Sequence, residues 1–195
     1  MNSSNQVLNV FQGDGIFFVE TMVIFVHFTM ERVEELCCYY IGFLRSVALV
    51  HQNHHWLAKG KNFYGNHLLF ERIYNSAQKD ADLMAEKFVG VFNAECLDLN
   101  LQSKIIAKTL DKYSSMDPLK SSLKIETEFL EFCQHFYDVL EDQDALTLGL
   151  DDAIMAVSSS REEAVYLLKQ ANEDADISVS PVVARTNLLR KLLKK

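Results

Sequence analysis

Residues 54–71 have the sequence HHWLAKGKNFYGNHLLFE, and this stretch decides the fold. Upstream of it, apolar residues recur at spacings of three and four, which predicts an amphipathic helix over about 30–59. Gly60 is suited to end that helix, because glycine tolerates the left-handed backbone found at helix C-termini. Asn62 then opens a second helix, predicted over about 62–93. The stretch therefore predicts a hairpin of two long helices.

The remainder of the chain predicts two further helices, over about 121–141 and 150–172. A long crossover, 94–120, joins the first pair of helices to the second pair. We expect it to hold a short helix that begins after a cap at Asn100, and a helix stop at Asp117–Pro118. Only seven glycines and two prolines occur in 195 residues, which disfavours a sheet-rich fold. The pattern predicts an all-α, ferritin-like four-helix bundle with a short helix in the crossover between its second and third helices.

Three parts are expected along the chain: an N-terminal apolar extension, 1–29, the bundle, 30–172, and a tail, 173–195. The extension lacks a preceding basic region, is too short to span a bilayer and is interrupted by Glu20. It is therefore interpreted as neither a signal peptide nor a membrane anchor, and we expect it to pack on or between subunits.

The tail is predicted to end in a basic amphipathic helix that begins at Ser180 and Pro181. Basic tails can bind DNA through its phosphates. The whole chain nevertheless has a formal net charge of −8, and leucines alternate with the basic residues of the tail. We therefore favour packing against protein over DNA binding.

The four cysteines include no C-x-x-C pair. Such cysteines are typical of reduced, buried thiols, so we expect a cytoplasmic protein.

The second predicted helix carries a polar stripe at spacings of four, seven, four and four residues: His67, Glu71, Gln78, Asp82 and Glu86. These residues lie on one side of the helix, and a solvated helix face is the simplest interpretation. However, a histidine leads the stripe directly after the turn, and the preceding helix ends with His55 on its apolar side. Imidazole and carboxylate groups without thiolate suit iron, manganese or zinc.

Helix geometry limits how these ligands combine. His67 and Glu71 are about 6 Å apart along the axis and can share a metal, as can Asp82 and Glu86. Glu71 and Asp82 are separated by about 16 Å, so one copy of the helix cannot close a five-ligand site. Either two weak half-sites exist, or two antiparallel copies of the helix face each other across a two-fold axis. We favour the intersubunit arrangement, because each half alone has too few ligands.

Other histidines have less support as ligands. A di-iron centre inside the bundle usually needs Glu-x-x-His on two helices, and this chain has no such sequence. His51 and His54 are candidate auxiliary ligands, but we favour hydrogen-bonded histidines of the core or surface.

Residues 51–90 resemble the Dps family, the mini-ferritins named for DNA protection during starvation. That family has a His-Trp pair, then Gly and Asn-Phe, a second histidine twelve residues after the first, an acid four residues later and Asp-x-x-x-Glu beyond. The same residue types occur here at the same spacings, and the predicted order of helices agrees over 30–172.

This resemblance implies a role for each matching residue. His55 and His67 match the two histidine ligands, and Glu71 matches the acid that follows them. Asp82 and Glu86 match the carboxylates that a two-fold partner contributes.

The resemblance also implies the function. We expect a dodecameric cage, built from two-fold dimers, that oxidises Fe(II) with hydrogen peroxide or oxygen, stores ferric iron and protects against oxidative damage. Iron is the expected metal, with zinc and manganese as other occupants. Trp56 matches the tryptophan beside the centre. Glu71 departs from the family, where aspartate is usual, and the extension 1–29 is longer and more apolar than the family's arms.

A second hypothesis keeps the bundle without the chemistry: a structural or interaction protein with a vestigial metal site. Asp151 and Asp152, at the start of the last predicted helix, also allow two interpretations. Carboxylates stabilise helix N-termini, whereas acids near this point in the resembled family line three-fold pores that admit Fe(II).

Overall fold

The computed structural model describes residues 30–113 and 117–172. These residues form five α-helices and one 3₁₀ turn: α1 (Met30–Leu57), α2 (Phe63–Phe92), the turn (Ala94–Leu97), α3 (Leu99–Tyr113), α4 (Pro118–Asp142) and α5 (Leu148–Ala171). The four longest helices form the bundle and α3 lies in the crossover, which confirms the predicted fold class. The predicted extension and tail helix lie outside the described residues.

The contacts between helices define the arrangement of the bundle. α1 packs against α2 and α4, and α5 packs against the same two helices. α1 and α5 therefore lie at opposite corners of the bundle. α3 and the 3₁₀ turn pack on α1, so the crossover covers one side of that helix.

The crossover differs from its prediction at both ends. Asp117–Pro118 begins α4 instead of ending a helix, because proline lacks the N–H that the first helical position leaves unpaired. The Asp117 carboxylate caps this end by accepting hydrogen bonds of 3.1 Å from two backbone amides of the first turn. The predicted cap at Asn100 is also wrong. α3 begins at Leu99, and Asp98 Oδ1 accepts a hydrogen bond of 2.7 Å from the Asn100 amide.

Two apolar clusters fill the interior. The larger surrounds Tyr40, whose ring centroid lies 5.2 Å from those of Phe129 and Phe136. The smaller consists of Phe70, Ile73, Leu123, Ala164, Val165 and Leu168. Along α2 and α5, polar residues separate the two clusters, Ser76 on α2 and Arg161 on α5. A polar layer therefore crosses the bundle between its two apolar clusters.

All four cysteines are free and buried, as predicted. Burial raises the pKa of Cys38 to about 11 and that of Cys133 to about 12, so these thiols stay protonated near neutral pH. None of the helices between residues 30 and 172 that the structure describes combines the length and apolar character needed to cross a bilayer.

Candidate metal centre

The turn between α1 and α2 brings two histidines together. Gly60 has a φ of 85° in this turn, a conformation that glycine adopts without a steric penalty. The last turn of α1 thereby lies beside the first turns of α2, and the rings of His55 and His67 stack with centroids 3.7 Å apart. His55 Nδ1 lies 2.9 Å from the His67 carbonyl oxygen, and His67 Nδ1 lies 3.0 Å from the His55 carbonyl oxygen.

These reciprocal contacts determine which ring nitrogens are available to a metal. A carbonyl oxygen only accepts hydrogen bonds, so both Nδ1 atoms carry the proton and donate. In the neutral imidazole the lone pair then lies on Nε2, as in many metal-binding histidines whose other nitrogen is held by a carbonyl. His55 and His67 are therefore both oriented as Nε2 ligands.

Aromatic side chains flank the histidine pair. The Phe63 ring stacks on His67 at 5.1 Å, and the Tyr74 ring meets His55 edge-on at 5.5 Å. Trp56 follows His55 in sequence, but its side chain is 66% exposed. In one chain Trp56 is thus a solvent-facing neighbour of the pair.

The carboxylates of the stripe fall into two groups. Glu71 lies one helical turn after His67 and is half-buried, whereas Asp82 and Glu86 are exposed and lie further along α2. The eleven residues from Glu71 to Asp82 rise by about 16 Å. Among the described residues, no three His, Cys, Asp or Glu side chains cluster closely enough to hold a metal ion. One chain brings the histidines together and leaves Asp82 and Glu86 apart from them.

Asp82 lines a groove of about 420 Å³ between α1, α2 and the crossover, to which Leu97 and Gln102 also contribute. Its lining combines three small side chains, Ala48, Ala81 and Ala85, with polar ones that include Arg45 and Gln78. Leu49 and Leu83, on the same two helices, are 41% and 38% exposed. Small and apolar side chains around an exposed carboxylate allow close approach of another helix.

His51 and His54 belong to the core. His51 Nε2 lies 2.8 Å from Glu126 Oε1, and His54 Nδ1 lies 2.8 Å from Ser122 Oγ. Both side chains are buried, and burial lowers the pKa of His54 to about 4. The prediction that these two are hydrogen-bonded histidines is confirmed.

A buried charged cluster within the bundle was not predicted. Arg161 Nη1 lies 3.1 Å from Glu126 Oε1, and Arg161 Nη2 lies 3.0 Å from Asp80 Oδ2. The sequence signal was present, because Arg161 is four residues from both Val157 and Val165 and hence lies on the apolar stripe of α5. A charged residue on such a stripe needs a buried partner.

Asp151 lies in the first turn of α5 and is half-buried, and Asp152 follows it and is exposed. Their suggested place at a three-fold pore stays a prediction.

No protein-family model matches the sequence, and no curated protein matches it. Among solved structures the chain is similar to Dps from Thermosynechococcus elongatus, with a TM-score of 0.62 and 16% sequence identity. The similarity covers 77% of this chain and 96% of that chain. At this identity the likeness shows the fold: the chain forms a ferritin-like bundle of the kind seen in Dps.

Proposed function

We propose that this chain is a ferroxidase of the Dps type, which oxidises Fe(II) at sites shared between two copies and stores the ferric product inside a closed cage. The observation that supports this most strongly is the reciprocal hydrogen bonding of His55 and His67. It leaves two Nε2 lone pairs on the helical hairpin, and the half-buried Glu71 lies one helical turn after His67. Three ligands of the types that iron accepts would thus come from one chain.

The remaining ligands would come from a second copy. Asp82 and Glu86 are exposed on the same helix, too far along it to join the histidines of their own chain. If two copies pack through α1 and α2 in antiparallel fashion, a two-fold axis creates two equivalent sites in each dimer. The small residues lining the groove near Asp82 fit such close packing. Twelve copies arranged as six dimers would form the cage.

Fe(II) is the substrate, with hydrogen peroxide or oxygen as the oxidant. With peroxide, two Fe(II) ions each lose one electron, the O–O bond breaks and two hydroxide ions form, so no hydroxyl radical is released. The neutral imidazoles of His55 and His67 and the carboxylates of Glu71, Asp82 and Glu86 would bind both oxidation states. Zinc or manganese could occupy the same ligands without the same redox reaction. Consuming peroxide together with Fe(II) would protect the cell from oxidative damage.

The setting proposed for this activity is the cytoplasm. All four cysteines are buried free thiols, which suits a reducing compartment. A formal net charge of −8 opposes binding of the whole surface to nucleic acid and favours the approach of cations.

Anaerobic titration with Fe(II), followed by addition of peroxide, tests the proposal. We expect saturable oxidation near two irons per site, and particles of cage size by light scattering. His67→Ala and Asp82→Ala should each abolish the saturable phase.

His135→Ala serves as the matched control, since it removes an imidazole from α4, away from the pair. It should leave the oxidation kinetics unchanged. If His67→Ala oxidises iron like the unaltered chain, the assignment is wrong. Weak iron binding and particles smaller than a cage would instead favour a structural protein with a vestigial site.

A further inference from the structure

The outward side of α2 carries residues in an order that is symmetric about the peptide bond between Ser76 and Ala77. Moving away from this bond in either direction, the helix presents an amide, then an acid, then a further ligand type and finally an apolar side chain. The matching pairs are Asn75 and Gln78, Glu71 and Asp82, His67 and Glu86, and Tyr64 and Val89. Spacings of three, four and seven residues keep all eight on one side of the helix.

This symmetry determines how a second copy could pack on α2. In a two-fold contact, if one residue touches another across the interface, the reverse contact forms as well. With the axis at the midpoint of the symmetric order, each residue lies opposite the other member of its pair. Glu71 then faces Asp82 of the second copy, and His67 faces Glu86 of the second copy. All four side chains are half-buried or exposed within one chain, so each can be reached from outside.

The pair nearest the midpoint consists of two amides. Asn75 and Gln78 are both exposed, and Gln78 also lines the groove that contains Asp82. A two-fold axis between them brings four amide side chains together, two from each copy. Each amide has both donors and an acceptor, so the four can pair with one another without a net charge. Polar groups at a helix contact can fix its register in this way.

The outermost pair is apolar. Tyr64 is 72% exposed and precedes His67 by three residues, whereas Val89 is 39% exposed and follows Glu86 by three. Both lie about 19 Å from the midpoint along the helix. In the two-fold contact Tyr64 would cover Val89 of the second copy, on the outer side of each metal site. Burial of these apolar surfaces would stabilise the contact.

We propose that the two-fold axis of the dimer crosses α2 between Asn75 and Gln78, with the amides of both copies meeting at the axis. Tyr64 of each copy packs on Val89 of the other. These four residues set the register that brings Asp82 of one copy to His67 of the other. The inference rests on the proposed function, because the metal ligands first suggest the axis. The exposed amides and apolar residues indicate the same axis without reference to any metal.

Cross-linking of added cysteines in the metal-free, full-length chain tests the inference. Asn75→Cys should react with its own copy through a short bismaleimide, because the two positions are only about 4–5 Å apart along the helices. Tyr64→Cys alone should not, because its two copies are about 38 Å apart. Mixed Tyr64→Cys and Val89→Cys chains should cross-link to each other. The unaltered chain gives the background, since its own four cysteines are buried.

A mixture of Tyr64→Cys and Leu83→Cys chains is the matched control. Leu83 is 38% exposed, almost the same as Val89, but lies about 9 Å away from it along α2. This mixture should therefore cross-link less than the mixture with Val89→Cys. Equal cross-linking in the two mixtures overturns the inference, and so does an Asn75→Cys chain that does not cross-link.

Charges placed at the axis provide a second measurement. Gln78→Glu sets like charges from two copies against each other, so the concentration at which the assembly dissociates should rise at least about tenfold. Asn75→Lys/Gln78→Glu should restore assembly, because opposite charges then meet twice across the axis. Gln170→Glu adds the same charge at an exposed position of α5 and should change nothing. Sedimentation velocity on dilution of metal-free protein gives the comparison, and the lack of any rescue overturns the inference.

These measurements separate the inference from the proposed oxidation of iron. The expected cross-links in a protein that does not oxidise Fe(II) support the inference and contradict only the ferroxidase. Saturable Fe(II) oxidation without the expected cross-links overturns the inference and leaves the ferroxidase standing.

Discussion

His55 and His67 each donate a hydrogen bond to the backbone carbonyl of the other, so the backbone that carries one ring positions the other. This pairing is local, because both residues belong to a single helical hairpin and are twelve positions apart. It orients two Nε2 atoms before any metal binds, which lowers the ordering cost of binding. Among the described residues of one chain, Asp82 and Glu86 do not join the histidines in a cluster that could hold a metal ion.

Mixing two inactive variants should therefore restore activity if the site is shared between chains. Coexpressed His67→Ala and Asp82→Ala chains form mixed dimers in which one of the two sites keeps all its ligands. With random pairing, about one quarter of the sites would be intact, as two-fold symmetry requires. Peroxide-dependent Fe(II) oxidation by the coexpressed sample, compared with each variant alone, measures this recovery.

Coexpression of His67→Ala with Glu71→Ala is the control for this experiment. Both changes affect the same half of the site, so every mixed site should lack at least one ligand, and the pair should recover less activity. Equal recovery from both mixtures would contradict a site completed by Asp82 of a second chain.

The turn at Gly60 positions the histidine pair. The backbone conformation of Gly60 predicts how replacing it with alanine changes the stability of the fold. Gly60 has a φ of 85°, and no atom lies within 4 Å of the position that a Cβ would occupy, so Gly60→Ala strains only the backbone. We expect a loss of about 1–2 kcal/mol in the free energy of unfolding. Gly65, inside α2, also has open space around it, and Gly65→Ala should stabilise by about 0.5–1 kcal/mol.

Urea unfolding of the two alanine variants gives this comparison directly. Opposite signs are expected because the two glycines differ in backbone conformation and not in crowding. Two changes of the same sign would contradict the explanation.

Stability should fall in mild acid because of His54. Its pKa is about 4 in the fold, below the ordinary 6.5, since burial disfavours the charged imidazole. Between these values the unfolded chain binds a proton that the folded chain does not bind. The stability that neutral His54 gives the fold is therefore complete above pH 6.5 and is lost as the pH falls towards 4. At roughly 1.4 kcal/mol per pKa unit, the loss in the free energy of unfolding is about 3 kcal/mol.

His54→Gln should reduce this acid sensitivity in metal-free protein, because glutamine can still bond Ser122 Oγ and does not titrate. The measurement is the free energy of unfolding in urea at pH 7 and at about pH 4.5 for both proteins. Carboxylates titrate in both, so their contribution cancels in the comparison. The same loss on acidification in both proteins would exclude His54 as the cause.

Local periodicity was enough to predict the bundle. Apolar spacings of three and four residues located α1, α2, α4 and α5 to within a few residues of their observed ends. The crossover was harder to predict, because Asp117–Pro118 suits either the end of one helix or the start of the next. Only the structure shows that the Asp117 carboxylate accepts from the first amides of α4.

The site could be predicted only in part. The rise per residue of an α-helix was enough to predict that Glu71 and Asp82 are too far apart to share a metal. The tautomer of His55 and His67 could not be predicted, since it depends on carbonyl groups placed by the turn. The Arg161 cluster was missed for a related reason: its partners Asp80 and Glu126 are distant in sequence and meet only when the helices pack.

Burial should make the ion pairs of this protein unequal in strength. Glu126 Oε1 accepts from both His51 and Arg161, and none of the three side chains reaches solvent. Glu126→Gln removes the negative charge and leaves Arg161 with Asp80 as its only carboxylate among the described residues. Breaking a buried pair in this way typically costs about 3 kcal/mol or more of unfolding free energy.

Glu163→Gln offers the matched comparison, because Glu163 also pairs with an arginine, Arg72, but these side chains are 57% and 61% exposed. An exposed pair contributes at most about 1 kcal/mol, and salt screens it. Urea unfolding of both variants at low and high salt should therefore show a large, salt-independent loss for Glu126→Gln and a small, salt-sensitive loss for Glu163→Gln. Equal losses would mean that burial does not increase the contribution of the Glu126 ion pairs to the free energy of unfolding. The interior cluster would then be a weaker constraint on the four helices than its geometry indicates.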